Sequence, residues 1–319
     1  MPHHPDGIAA PRFIGIPTFM RTPFADDFEG LDIALCGVPY DGGVTNRPGA
    51  RHGPREIRNQ SSFMRGIHHV SRINPFEACR VADVGDVPFA ESHVPEKAMA
   101  EIEAFFARIH AAGALPLSAG GDHSITHPIF RAIATPDAPL GMVHIDAHTD
   151  TWDAWQGNKF NHGAPFRRAV EDGVLDPKRT VQIGIRGPQN VDDGWNFSRD
   201  SGMRVIFMEE FTAIGVDAVI AEARRVVGDG PTYISFDVDG LDPVYAPGTG
   251  TPEVGGITTV EGQALLRGLR GLNLVGGDVV EVAPPFDQTG NTALVGATLM
   301  YEILCLLAEV VAARKDGAS

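Results

Sequence analysis

Cysteine is scarce and poorly placed for a framework: the 319 residues carry three, Cys36, Cys79 and Cys305, far apart in the chain. An odd number with no C-x-x-C or Cys/His finger spacing excludes a disulfide scaffold and a structural zinc finger, and suits a reducing cytoplasm. Positive charge is also short. Lys and Arg number 26 against 41 Asp and Glu, a net charge of -15. Such a surface repels phosphate backbones and anionic lipid, so neither nucleic acid nor a membrane is expected as a partner. The stretch from Met1 to Ile14 has no basic segment leading into an apolar core, so no secretory signal is read there. One apolar run approaches membrane length, Leu294 to Val311. It contains Glu302 and Glu309 and follows a polar loop, and reads as a buried C-terminal helix.

What is present is the material of a large core: 43% of the residues are hydrophobic and 21% charged. Short apolar or β-branched runs recur at Leu31 to Val38, Arg80 to Val84, Leu115 to Ser118, Gly141 to Ile145, Val181 to Ile185, Arg204 to Phe207, Thr232 to Phe236 and Val275 to Val282. Helical patterns lie between many of them. In the clearest, Glu96 to Ala112, Met99, Ile102, Phe106 and Ile109 fall at helical spacing, with Pro95 before and Gly113 after. Alternation of strand and helix implies parallel strands joined by right-handed crossovers. No linker and no repeat of 20 to 50 residues divides the chain. The expectation is a single three-layer α/β/α domain over 1–319, with a mainly parallel, roughly eight-stranded sheet and 1–30 as an N-terminal extension.

In such a sheet, sites form at the carboxyl ends of strands. The run Gly141 to Ile145 ends in Asp146, His148 and Asp150, spaced by two, which brings two carboxylates and an imidazole together where the strand stops. The run Thr232 to Phe236 ends in Asp237 and Asp239. After Leu115 to Ser118, two glycines and Asp122 lead to His123. Gathering these acids at one sheet end would be costly through repulsion and desolvation unless cations neutralised them. Four carboxylates and two imidazoles make a donor set for two divalent ions, which about 3.5 to 4 Å apart can share carboxylates and activate a water. Hydrolysis is the implied reaction class.

The segments GGDHS, HIDAHTD, FDVDGLDP, APGTGTPEVGG and VVEVAPPFD resemble, in order and spacing, the ureohydrolase family of arginases and agmatinases. PYDGG near residue 40, GARHGPREIR near 50 and NHGAPFRR near 161 extend the likeness over nearly the whole chain. NRPGARHGPREIRNQSS and HHVSRI look most like the bacterial guanidino-acid hydrolases, guanidinopropionase and guanidinobutyrase. The resemblance implies an arginase-like fold and two Mn²⁺ per chain. His123, Asp146, Asp150 and Asp237 would hold one ion, and Asp146, His148, Asp237 and Asp239 the other, with Asp146 and Asp237 bridging. Asp150 would orient the attacking hydroxide, His162 shuttle the proton and Glu281 grip the guanidinium. A trimer or hexamer is implied as well; a sister subunit is invisible at this level.

Several residues have plainer readings. His144 shares strand parity with Asp146 and is expected to be a packed supporting residue. Arg167 and Arg168 are expected to pair with surface acids. Trp152, two past Asp150, departs from the small polar residue common in relatives. With Trp155 it could pack a surface loop or, with Phe160, form an aromatic wall in the substrate site. The expected substrate is therefore a linear guanidino acid, 3-guanidinopropionate or 4-guanidinobutyrate, with agmatine behind it. An N-substituted guanidine or a biguanide, with Ni²⁺ replacing Mn²⁺, is the reading Trp152 favours. The rivals of other kinds are a non-catalytic metal-binding subunit and a single-metal deacylase.

Overall fold

Among the described residues eight strands run in order: β1 (Ile33–Val38), β2 (Val81–Asp86), β3 (Leu115–Gly120), β4 (Leu140–Ile145), β5 (Leu175–Ile185), β6 (Arg204–Phe207), β7 (Thr232–Asp237) and β8 (Leu274–Val280). The computed structural model describes residues 11–317. All strand pairings are parallel, in the order β2-β1-β3-β8-β7-β4-β5-β6. The intervening helices are α1 (Gly53–Ser61), α2 (Pro75–Ala78), α3 (Pro95–Ala111), α4 (Thr126–Ile133), α5 (Pro165–Glu171), α6 (Asp193–Ser201), α7 (Met208–Ile214), α8 (Val216–Val227), α9 (Thr259–Gly268) and α10 (Asn291–Gly317).

Most strands divide their side chains between two cores. Ile33 and Leu35 of β1, Leu117 of β3 and Val143 and Ile145 of β4 join one. Ala34, Cys36 and Val38 of β1 and Leu140 and Met142 of β4 join the other. Alternation across the pleat sends successive residues to opposite faces, so a parallel sheet covered on both sides reads as a continuous apolar run. The strand candidates therefore fall where the sequence places them. β5 alone begins well before its expected start, at Leu175 rather than Val181. Its pairing with β4 skips between Leu140 and Met142, beside Pro177, which has no N–H for the ladder.

In α3 the expected stripe of Met99, Ile102, Phe106 and Ile109 is buried, and Gly113 ends the turn at φ +79°. The long α10 is apolar enough by composition to cross a bilayer, yet most of it is buried within the protein. Glu302 on this helix is buried against Arg267 and His68. The expected extension over 1–30 lies partly outside the described residues. From Phe19 onward it is built into the domain: Phe19 and Met20 are fully buried, and the Phe19 amide donates to Asp83 at 2.9 Å. Burial of two large apolar side chains, at about 1.5–3 kcal/mol each, explains why this segment is not a free arm.

Candidate metal centre and active site

Four neighbouring strands, β3, β8, β7 and β4, carry the sequence candidates at their carboxyl ends. His123 follows β3 after Gly120 and Gly121. A Cβ on Gly121 would stand 1.7 Å from the Tyr40 carbonyl oxygen, so only glycine lets the chain turn there. β4 ends at Ile145, so turns rather than pleat alternation aim His148 and Asp150. Asp150 sits at φ +52°, and Glu281, just past β8, at φ +63°. Left-handed backbone at non-glycine residues is strained and persists where the surrounding structure enforces it.

Around His123 Nδ1 stand Asp150 Oδ2 at 3.0 Å, Asp146 Oδ2 at 3.1 Å and Asp237 Oδ2 at 3.2 Å. This buried nitrogen has no aligned hydrogen-bond partner. His148 Nδ1 lies 3.2 Å from Asp239 Oδ2 and 3.4 Å from Asp146 Oδ1. Asp146 thus turns one oxygen to each group, while Asp237 turns Oδ2 to the first and accepts the Asp239 amide on Oδ1. Imidazole nitrogens and carboxylate oxygens converging on two neighbouring points are what a pair of divalent cations requires, and imidazole and carboxylate without thiolate suit a first-row ion.

The electrostatics agree. Burial pushes Asp237 well above the usual carboxylate range, and neighbouring Asp239 and Asp146 add to it. Burial, with Asp146, also pushes Asp239 up to about 6. Asp146 is held low: burial opposes its charge, but His144, His123 and His148 surround it and outweigh that cost. Like charges this close raise each other's pKa unless cations intervene.

Behind the donor atoms stands a set of buried supports. His123 Nε2 meets Ser235 Oγ at 2.8 Å, and Ser235 donates to Asp278 at 2.7 Å. Asp278 also accepts from Thr126 and Tyr233. His144 could itself offer a ligand atom to the first group. Its Nε2, however, is taken up by Asp146 Oδ2 at 2.8 Å, and its Nδ1 faces the Gln182 amide at 3.1 Å. It is the supporting residue the sequence implies. Such partners fix the orientation of a ligand and raise its basicity.

Next to the cluster, His162 Nδ1 lies 2.8 Å from Glu281 Oε1, while its Nε2 meets the Thr45 amide at 3.2 Å and hydroxyl at 2.9 Å. Glu281 Oε2 is buried and unpartnered. Asp122 caps the turn at His123, accepts the Gly43 amide at 2.7 Å, and is pushed up to about 7 by burial and by Glu281. A cavity of about 170 Å³ opens here, lined by Thr45, His148, Asp150, Trp152, His162, Asp237, Asp239, Thr251 and Glu253 among others.

Trp152 therefore borders the cavity; Phe160 does not. Its ring stacks on His127 at 6.2 Å, and it packs with the core on that side of the sheet. The aromatic wall expected from Trp152 and Phe160 is thus reduced to Trp152, because burying the Phe160 ring on His127 removes it from the mouth. Trp155 lies 6.3 Å from the Trp152 ring and is partly exposed. Arg167 pairs with Glu171 and Asp193, and Arg168 with Asp153 and Glu171, as surface pairing implies. Thr45, Thr251, Glu253 and the Ser235–Asp278 pair are not reached from the sequence. Only Asp278 left a signal, an acid inside the otherwise apolar run of β8.

A hydrolase with a binuclear metal site on a parallel α/β sheet is the class that this fold and cluster define. The Arginase family model matches residues 31–306, and the chain belongs to that family. It is accordingly an amidinohydrolase, acting on guanidino C–N bonds. A guanidinopropionase of Pseudomonas aeruginosa is 61% identical over 308 residues, covering 96% of each chain. A guanidinobutyrase of the same organism is 48% identical over 313 residues, covering 97% of this chain and 98% of that one. The solved structure of proclavaminate amidinohydrolase from Streptomyces clavuligerus superposes with a TM-score of 0.89 at 38% identity, over 94% of this chain and 100% of that one.

Proposed function

We propose that the protein hydrolyses a linear guanidino acid, 3-guanidinopropionate or 4-guanidinobutyrate, to urea and the corresponding amino acid. The 61% identity to a guanidinopropionase over nearly the whole chain carries this reading. His123, Asp146, Asp150 and Asp237 would hold one cation, and Asp146, His148, Asp237 and Asp239 the other. Mn²⁺ is the proposed metal, with Ni²⁺ an equal fit to the donors. When bound, the ions would supply a nucleophile at neutral pH by lowering the pKa of a water.

The side chains account for the rest. A guanidinium is a planar fork of donors, and Glu281, with Oε2 free to accept, orients it. Asp150 orients the attacking water and takes up its proton. The leaving amine needs a proton, and His162, pushed up to about 9, carries one at neutral pH, its Nε2 then donating to the Thr45 hydroxyl rather than accepting the Thr45 amide. Burial opposes that charge more strongly than any one neighbour favours it, but Glu281, Asp122 and Asp150 together outweigh it.

The cavity favours a second reading. Among its described lining residues none is Lys or Arg to pair with a substrate carboxylate, and the Thr45 and Thr251 hydroxyls already meet His162 and Asp239, while Trp152 offers an apolar face. That suits an N-alkylated guanidine. Agmatine stands between the two, its cationic end near Glu253. A urea-release screen over guanidino acids, agmatine, arginine and alkylated guanidines, with Mn²⁺ and then Ni²⁺, separates these readings. No urea from any of them in a metal-loaded sample would favour a non-catalytic subunit.

We also propose a homo-oligomer, a trimer or hexamer, in a reducing cytoplasm. Exposed Phe13, Ile14, Ile16 and Phe24 and three buried free cysteines support this. Light scattering on the purified protein tests the assembly.

A further inference from the structure

Trp152 occupies its place at the cavity only because two neighbours lack side chains. A Cβ on Gly163 would stand 3.2 Å from Trp152 Cε3, and one on Gly194 would stand 2.6 Å from Cδ1 and 3.0 Å from Nε1. Gly194 lies in the first turn of α6 with helical backbone. Nothing in that conformation calls for glycine, which a helix disfavours relative to alanine. The backbone there is also tied down. Thr151 Oγ1 donates to the Gly194 carbonyl at 2.7 Å and meets Ser198 Oγ at 2.9 Å, so the helix start cannot recede from the residue beside Trp152. The other group that a Cβ would meet, the Gln189 terminal amide at 3.0 Å, ends a flexible side chain.

We propose that Gly194 determines the substrate range: its missing Cβ is the space into which the Trp152 indole leans, and the width left for the substituent on the guanidino nitrogen follows from it. Gly194 is a positioning residue that acts through Trp152, and the inference rests on the cavity being the guanidino site. A methyl at position 194 meets rigid indole on one side and tethered helix on the other. The indole has to move, and the cavity it lines changes shape.

Gly194→Ala adds that methyl without opposing the helix. Urea release is measured with guanidinoacetate, 3-guanidinopropionate, 4-guanidinobutyrate and N-methylated 3-guanidinopropionate, together with bound metal. Trp152 emission is followed in a Trp155→Phe, Trp195→Phe background. The expected result is a kcat/KM ratio between the most and least substituted substrates altered by roughly tenfold or more, the discrimination that one methylene confers in a pocket. Metal content stays unchanged, the emission shifts, and adding Trp152→Phe brings the ratio back. Unaltered ratios in a folded, metal-loaded Gly194→Ala overturn the proposal. Absence of urea from every substrate with the parent protein strikes the underlying reading instead. In that case an emission shift still supports the placement of Trp152 by Gly194, and an unchanged emission overturns it.

Discussion

His162 donates a hydrogen bond from Nδ1 to Glu281 Oε1 across 2.8 Å, because a carboxylate can only accept. Burial works against the imidazolium, but Glu281, with Asp122 and Asp150 behind it, pushes His162 up to about 9. The acid form is therefore present below that value and is lost as pH rises through it. Glu281→Gln removes the main supporting charge, so the alkaline limb of kcat should move to lower pH. KM should rise as well, since the same carboxylate orients the guanidinium. A kcat profile from pH 6 to 10 checks this; an unmoved limb would separate His162 from proton delivery.

His144 holds Asp146 through a single hydrogen bond and is itself held by Gln182. His144→Phe keeps an aromatic ring beside Phe166 and removes that bond. Loss of such a partner typically costs about 10- to 100-fold in metal affinity. Competition with a metallochromic chelator should read a loss of that size. A direct ligand would instead leave the protein with a single ion.

Removing the metals leaves the acids facing each other. In the metal-free protein Asp237 is raised well above its usual value and Asp239 to about 6, burial being the largest cause for both. A group raised in the folded state stabilises below its unfolded pKa, about 3.9 for Asp, and that contribution is lost as pH climbs through the folded value. The Tm of chelated protein should therefore fall as pH rises through about 6, while the metal-loaded protein shows little of this fall. At a free metal concentration 100 times Kd, each of the two ions should add about 2.7 kcal/mol. Parallel Tm curves for the two forms would contradict the cluster's assignment.

Far from the site, Glu302 is buried in α10 and paired with Arg267, whose Nε lies 3.0 Å away, and with His68 at 3.0 Å. Removing one member of a buried pair strands the other charge, at about 3–5 kcal/mol. Glu302→Ala should lower stability by that amount in urea unfolding, with metal content unchanged. A change under about 1 kcal/mol would mean that solvent already screens the pair.

Much of this was legible in the sequence. A parallel sheet buried on both faces writes its strands as apolar runs, and the acids after β4 and β7 stand out because nothing apolar explains them. Thr45 and Thr251 were not legible, since their role depends on loops brought together from distant parts of the chain. Phe160 misled for a related reason: its position beside His162 in sequence suggests the cavity, but its ring turns onto His127. The start of β5 is hidden in the sequence because Pro177 and the charged residues around it interrupt the apolar run, although Leu175 pairs with Leu140 of β4.

Anomalous diffraction from crystals of the reconstituted protein, collected on either side of the manganese edge, addresses the central claim directly. Two peaks per chain are predicted, one beside His123, Asp146, Asp150 and Asp237 and one beside Asp146, His148, Asp237 and Asp239. A single peak, or none among these side chains in protein that still releases urea, would contradict it.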